Sequence, residues 1–93
     1  MTKIADIKYR LSEENPDAVF WDGCDEALVG VASRPGLPTL ACYNYDLLVE
    51  VFTKAPSNMD DVEAMEWVDF NIVGAFVGPG TPIILEIPDE GSW

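Results

Sequence analysis

Apolar side chains recur at helical intervals in the first half of the chain. The first such segment spans residues 3–14 and ends before Pro16, which a helix cannot continue through. The second spans residues 45–54, with Asn44 as its N-cap and Pro56 as its terminator. The periodic positions are Ile4, Ile7, Tyr9 and Leu11 in the first segment and Leu47, Leu48, Val51 and Phe52 in the second. The pattern predicts two amphipathic helices.

A third helix is predicted after Asp60, because Asp60 and Glu63 have the spacing of a capping box. We expect this helix to run to about Phe76. On a helical wheel with ideal geometry, one broad face is apolar and the opposite face is acidic. The apolar face contains Ala64, Met65, Val68, Ile72, Ala75 and Phe76, with Trp67 and Asn71 at its border.

Four short runs rich in β-branched and aromatic residues predict strands within residues 18–23, 27–33, 39–44 and 81–87, and the first of these runs is closed by a predicted turn at Asp22-Gly23. The second and third runs are joined by the Pro- and Gly-containing turn RPGLP, which predicts a hairpin. The run GPGTP precedes the fourth. It has no following lysine or helix, so we interpret it as a turn and not as a phosphate-binding loop.

These elements predict an α+β fold with the order α-β-β-β-α-α-β. We expect a small, mainly antiparallel sheet of about four strands, packed by two or three helices. The 93 residues are predicted to form a single domain spanning 1–93, with residues 88–93 as a flexible tail.

Charge is the strongest compositional feature. Seventeen acidic residues against five basic ones give a formal net charge of −12. Lys54 is the last basic residue, and eight acidic residues follow it. Such a field disfavours direct binding to nucleic acid or anionic membranes and favours basic surfaces. Acidity that serves only solubility is the alternative interpretation.

The chain contains no histidine, the commonest general base and metal ligand. Its serines and cysteines therefore lack the usual activating partner, and we predict no catalytic residues, no metal site, no cofactor and no enzymatic activity. Cys24 and Cys42 lie in or beside apolar segments and are predicted to be two buried thiols. No signal-peptide pattern or membrane-spanning run is present, which predicts a cytoplasmic protein.

The third helix raises one question, because Phe70 falls between Glu63 and Glu66 on its acidic side. One interpretation is a partner-binding surface, in which an aromatic anchor is surrounded by charge. Another is that the N-terminal helix or a sheet edge covers Phe70, leaving the carboxylates as a solvated face. The predicted partner-binding residues are Asp60, Asp61, Glu63, Glu66, Trp67, Asp69 and Phe70.

A second candidate site involves Asn71, which we expect to hydrogen-bond loop backbone near residues 78–81. Tyr45 lies at a predicted strand-to-helix junction, where loops often carry function. Tyr45, Asn71 and Thr81 are therefore a possible small-molecule or nucleotide pocket; the alternative is that they have structural roles only.

From Asp22 to Leu85 the chain resembles a small uncharacterised family of bacteriophage and prophage proteins. The most specific segment is MDDVEAMEWVDFNIVGAFVGPGTPII. The family pattern there is Glu-Ala-x-Glu-aromatic-x-[Asp/Glu]-Phe-Asn-x-x-Gly-Ala-aromatic-x-Gly, followed by Thr-Pro. The matching positions are Glu63, Ala64, Glu66, Trp67, Asp69, Phe70, Asn71, Gly74, Ala75, Phe76, Gly78, Thr81 and Pro82. The resemblance implies a phage or prophage source and expression in the bacterial host cytoplasm, without implying a particular activity.

The leading functional hypothesis is a non-enzymatic, phage-type accessory protein whose acidic surface binds a basic host protein, as a DNA mimic or counter-defence inhibitor does. A self-associating structural module is the second hypothesis, with Trp67, Phe70 and sheet edges forming a homo-oligomer. A small-molecule or nucleotide-binding protein is the third.

Overall fold

The computed structural model describes residues 3–88, which form six regular elements in the order α-β-β-α-α-β. They are α1 (Lys3–Glu14), β1 (Leu28–Ala32), β2 (Leu40–Asn44), α2 (Tyr45–Thr53), α3 (Asp61–Val68) and β3 (Ile83–Leu85). A 3₁₀ turn (Asp25–Ala27) precedes β1, and a π-helical turn (Asp69–Val73) continues α3. The predicted α+β class is confirmed, whereas the predicted order and the fourth strand are wrong. The predicted flexible tail lies outside the described residues, except for Pro88.

The three strands form one mixed sheet in the order β1-β2-β3. β1 and β2 pair antiparallel as the predicted hairpin, with an irregularity in register between Leu28 and Gly30. β3 pairs in parallel with β2, so the expectation of a mainly antiparallel sheet is wrong. The chain passes through α2 and α3 between these two strands. A crossover of this length returns the chain in the same direction, which a short hairpin cannot do.

Tyr43 lies on the central strand, on the face of the sheet that carries the core, and its side chain is fully buried. Its neighbours in register are Leu28 on β1 and Ile84 on β3. The Tyr43 hydroxyl accepts a hydrogen bond from the backbone N–H of Trp21 at 2.9 Å. One side chain therefore contributes to the core and also holds the segment that precedes β1. The buried cluster around it contains Leu11, Cys24, Ala27, Leu28, Ala41, Tyr43, Leu48, Val68 and Ile72.

The predicted strand at residues 18–23 is wrong. This segment is irregular, but the predicted turn at Asp22-Gly23 is confirmed, and Gly23 has a positive φ of 78°. Its backbone is held by a hydrogen bond from Val19 N–H to the Gly80 carbonyl. Phe20 and Trp21 pack against the core as half-buried side chains. Their apolar character serves side-chain packing, and the segment does not need a neighbouring strand.

Local signals set the helix starts as predicted. The Asn44 side chain accepts from Leu47 N–H at 2.9 Å and caps α2. Asp60 and Glu63 form both bonds of the capping box on α3. The predicted end of the third helix near Phe76 is wrong, because the helical turns stop at Val73.

Both cysteines are buried and free, as predicted. Burial raises the pKa of the Cys24 thiol and the pKa of the Cys42 thiol above their ordinary values. Thiols held in the protonated form are poor nucleophiles, so these two side chains act as small apolar groups.

Gly80 offers a sharp test of the packing between the loop before β3 and the segment after α1. A Cβ atom added at Gly80 would collide with the backbone carbonyl of Asp17. Backbone cannot move aside as the end of a flexible side chain can. We therefore expect Gly80→Ala to lower the free energy of unfolding by about 1–3 kcal/mol in urea denaturation.

Gly30→Ala is the matched control, because no atom lies within 4 Å of the added Cβ. Its effect should remain within about 1 kcal/mol in either direction. Equal destabilisation by the two substitutions would contradict the close approach at Gly80.

Candidate functional site

The end of α3 is a wide turn that carries both buried and exposed side chains. Ala64, Val68 and Ile72 are all buried, although four-residue steps drift around an ideal α-helix. The turn from Asp69 to Val73 is π-helical, and Gly74 N–H donates to the Asp69 carbonyl at 3.1 Å. The wider turn reduces the angular drift, and Ile72 stays on the buried side, as the helical wheel predicts. Such π-helical turns often occur at functional sites.

Phe70 lies within this wide turn and is 84% exposed. Neither α1 nor a sheet edge covers it, so the interpretation of Phe70 as a core residue is wrong. Exposure of a complete phenyl ring is energetically unfavourable in water. The aromatic residue that interrupts the acidic side of the helix is therefore a surface feature of the folded chain.

Phe70 borders a shallow groove of about 310 Å³ on α3, here called the α3 groove. Trp67 is the second aromatic residue that lines the groove, and its side chain is 37% exposed. The Trp67 ring packs on Phe52 of α2, with centroids 4.5 Å apart and planes inclined by 37°. This contact holds the indole ring in place in the free protein. The groove is lined by Met59, Glu63, Glu66, Trp67, Phe70 and Asn71.

The carboxylates on α3 differ in how they are used. Glu63 Oε1 accepts from Asp60 N–H at 3.2 Å, and Asp60 Oδ1 accepts from Glu63 N–H at 2.8 Å. Both groups therefore hold the start of the helix. Glu66 has no hydrogen bond or ion pair within the described residues, and its carboxylate is free. Asp61 is exposed in the first helical turn, where the helix dipole favours negative charge.

Asp69 is coupled to Tyr45 across the junction between the sheet and the helices. The Tyr45 hydroxyl donates to Asp69 Oδ1 at 2.7 Å. This hydrogen bond, followed by burial and the nearby charges of Asp69, Glu86 and Asp46, raises the pKa of Tyr45 to about 12. Asp69 is thus both part of the acidic surface and a contact that positions the wide turn.

The three residues of the predicted small-molecule pocket have separate partners. Tyr45 contacts Asp69, while Asn71 Nδ2 donates to the Trp67 carbonyl at 3.1 Å. The expected bond from Asn71 to loop backbone near residues 78–81 is therefore wrong. The Thr81 hydroxyl donates to the Gly78 carbonyl at 2.6 Å and accepts from Val77 N–H. Thr81 closes the turn before β3, and Asn71 belongs to the α3 groove.

The described ion pairs of the basic side chains do not involve the carboxylates of α3. Lys54 lies 3.6 Å from Glu26 and 3.8 Å from Glu50. Arg10 pairs with Glu14 at 2.8 Å within α1. These exposed pairs contribute little to stability. They also leave the carboxylates of α3 without a neutralising cation in the described ion pairs.

Residues 3–88 contain no group of three cysteine or acidic side chains placed to hold a metal ion. Within the same range, no helix combines the length and apolar character needed to cross a membrane.

A cavity of about 430 Å³ was not anticipated from the sequence. It lies where the segment after α1, the β1–β2 turn and the loop before β3 meet. Three distant segments contribute, so no local spacing could have indicated it. The lining residues are Asn15, Asp17, Val19, Pro38, Val77, Pro79 and Gly80.

Comparison of the chain with protein-family models, curated proteins and solved structures gives no match. The functional argument therefore depends on the groove and its charges.

The contact between Tyr45 and Asp69 predicts how stability changes at alkaline pH. Because the folded chain holds the phenol proton up to about pH 12, against an ordinary pKa of 10, this contribution is complete below pH 10. This contribution to the free energy of unfolding declines as the pH rises from 10 towards 12, because Tyr45 is then ionised in the unfolded chain and still protonated in the folded chain. We expect Asp69→Asn to lower the pKa of Tyr45 and to weaken this pH dependence.

The measurement is the difference in phenolate absorbance between the wild type and Tyr45→Phe, repeated in the Asp69→Asn background. Asp46→Asn is the control, since the charge of Asp46 is the smallest of the named causes. An unchanged Tyr45 titration in Asp69→Asn would contradict the hydrogen bond as the main cause.

Proposed function

We propose that the chain is a non-enzymatic binding protein whose α3 groove and surrounding carboxylates engage a basic surface of another protein. The observation that carries this proposal is the exposure of Phe70 beside the free carboxylate of Glu66. An apolar anchor within a charged surround is the arrangement found at the energetic centres of protein interfaces. Phe76 is nearly as exposed, so what distinguishes Phe70 is its position in a groove beside Trp67 and a free carboxylate.

Electrostatics support the choice of a basic partner. With a net charge of −12, the chain attracts basic surfaces over distances comparable to the Debye length. Glu63, Glu66 and Asp69 are spaced three residues apart, and neighbours at this spacing have Cβ atoms about 5–6 Å apart. Carboxylates repeated along one surface can take the place of backbone phosphates in contacts with basic side chains.

The finer proposal is that the protein acts as a DNA mimic or counter-defence inhibitor for a phage or prophage, in the cytoplasm of the bacterial host. The partner would then be a host protein that binds nucleic acid through a basic site. The resemblance in the segment from Glu63 to Pro82 supports this source, and the charge of the chain supports this kind of partner.

The test is affinity capture from bacterial lysate, followed by binding measurements with each purified captured protein. We expect the wild type to retain a basic protein, and Glu66→Gln combined with Phe70→Ala to bind it at least about tenfold more weakly, because both the anchor and a free charge are lost. Raising the salt concentration should weaken wild-type binding more than binding by the double variant.

Glu13→Gln combined with Phe76→Ala is the matched control. Glu13 is an exposed glutamate on α1, and Phe76 is 79% exposed outside the α3 groove. The control makes the same changes of charge and residue type at positions that do not line the groove. Equal loss of affinity in both double variants would overturn the assignment of the α3 groove as the interface.

Self-association is a second candidate, favoured by the outer face of the sheet. Ile83 and Leu85 alternate with the half-buried Ile84 and are 39% and 41% exposed. Their neighbours in register on β2 are Cys42 and Asn44, so no charged side chain lies opposite them. An exposed face that is uncharged and partly apolar can pair with a second chain, even though the charged remainder of the surface repels that chain.

Under the leading proposal the free protein is a monomer, because two chains of charge −12 repel each other. Multi-angle light scattering at low and high protein concentration should return the mass of one chain at both. A stable dimer that Leu85→Lys dissociates would favour the sheet face. One that Phe70→Ala dissociates would show that the α3 groove binds a second copy.

A further inference from the structure

The α3 groove combines two aromatic side chains with hydrogen-bond acceptors that have no donor. Glu66 is free at both carboxylate oxygens, and Glu63 uses Oε1 for the capping box, which leaves Oε2. Asn71 donates through Nδ2 to the Trp67 carbonyl, which leaves its Oδ1 as an acceptor. These atoms suit a ligand group that carries several donors and a positive charge.

The aromatic side chains that line the groove favour a guanidinium over an ammonium group. One side of the Trp67 ring is covered by Phe52, so the indole is held in place, and Phe70 is exposed at the edge of the groove. A guanidinium is planar, has five N–H donors and no acceptor, and stacks on aromatic rings. An ammonium is a compact, strongly hydrated charge that pairs with carboxylates but gains less from stacking.

We propose that the α3 groove receives an arginine side chain of the partner protein, with its guanidinium between the Glu63 and Glu66 carboxylates and against the Trp67 and Phe70 rings. This inference rests on the proposed function and specifies which basic group the groove recognises. A fork-shaped contact between guanidinium and carboxylate has the same geometry as one between guanidinium and phosphate. The groove therefore offers an arginine of a nucleic-acid-binding site a substitute for a backbone phosphate.

The charge of the groove disfavours an anion or an uncharged apolar side chain as its occupant. An anion would meet two carboxylates, and an uncharged apolar side chain would leave them without a partner. The groove is shallow and open, as suits the end of a side chain presented by another protein surface. Arginine fulfils the apolar, charged and hydrogen-bonding requirements together.

The test compares hexa-arginine and hexa-lysine, both blocked at their ends, by calorimetric titration into the whole protein at low salt. The two peptides carry equal charge, so the overall acidic field attracts them equally. We expect hexa-arginine to bind about two- to fivefold more tightly, the range that a cation–π contact at a partly exposed site provides. Phe70→Ala and Glu66→Gln should each remove most of this preference.

Glu66→Gln is used instead of a change at Glu63, because Glu63 holds the start of α3. Phe76→Ala and Glu13→Gln are the controls, and both should keep the preference for arginine. Circular dichroism of each variant verifies that the fold is retained.

Each remaining outcome has a separate meaning. Equal affinity for the two peptides, weakened in Glu66→Gln but not in Glu13→Gln, would overturn the arginine inference and leave the proposed acidic interface intact. Equal affinity that no α3 variant changes would overturn both, because attraction would then come from net charge alone.

Discussion

The requirement that Ala64, Val68 and Ile72 all face the core governs the structure of α3 and everything exposed on it. These residues are separated by four positions, and each is at most 5% exposed. An α-helix completes a turn in 3.6 residues, so residues at this spacing drift by about 40° per step while still sharing one broad face. The wider π-helical turn at Asp69–Val73 reduces that drift. Phe70 lies on the solvent side, where the ideal helical wheel also places it.

The same constraint connects the acidic groups to the fold. Asp60 and Glu63 hold the first turn of α3, and Asp69 holds its last turn through Tyr45. These carboxylates have structural roles in addition to their charge. Glu66 lies between them and has no such role within the described residues. The helical backbone that carries this free carboxylate is therefore held on both sides by anchored residues.

The fold was predictable wherever the signal was local. Asn44 and the pair of Asp60 and Glu63 defined helix starts because capping depends on residues within one turn. The apolar run at residues 18–23 was misinterpreted, because Phe20 and Trp21 pack on a core that distant segments create. The parallel pairing of β3 was missed for a related reason, since it depends on the path of the chain through two helices.

The candidate site was predictable only in part. Of the predicted partner-binding residues, Glu63, Glu66, Trp67 and Phe70 line the α3 groove, whereas Asp60, Asp61 and Asp69 do not. Met59 was missed, and Asn71 was assigned to another site. A wheel that advances 100° per residue placed Ala64, Val68 and Ile72 correctly, but it put Met65 and Phe76 on the apolar face, and both are exposed. It also placed Asn71 at the border of the apolar face, whereas the amide is exposed and donates back to the Trp67 carbonyl. The contact between Trp67 and Phe52 joins two helices and has no signature in sequence spacing.

The combination of charge and exposed aromatic area separates binding from solubility as the purpose of this surface. Carboxylates alone keep a small domain soluble, and their arrangement is then of little consequence. Phe76 is exposed as well, but Phe70 borders a groove with a second aromatic ring and a free carboxylate, where contact with a partner gives a compensating benefit. Desolvation of the ring by a partner provides that benefit, and the adjacent carboxylate is stabilised at the same time only if the partner brings a cation. A group that is both flat enough to cover the ring and positively charged meets the two conditions in one contact.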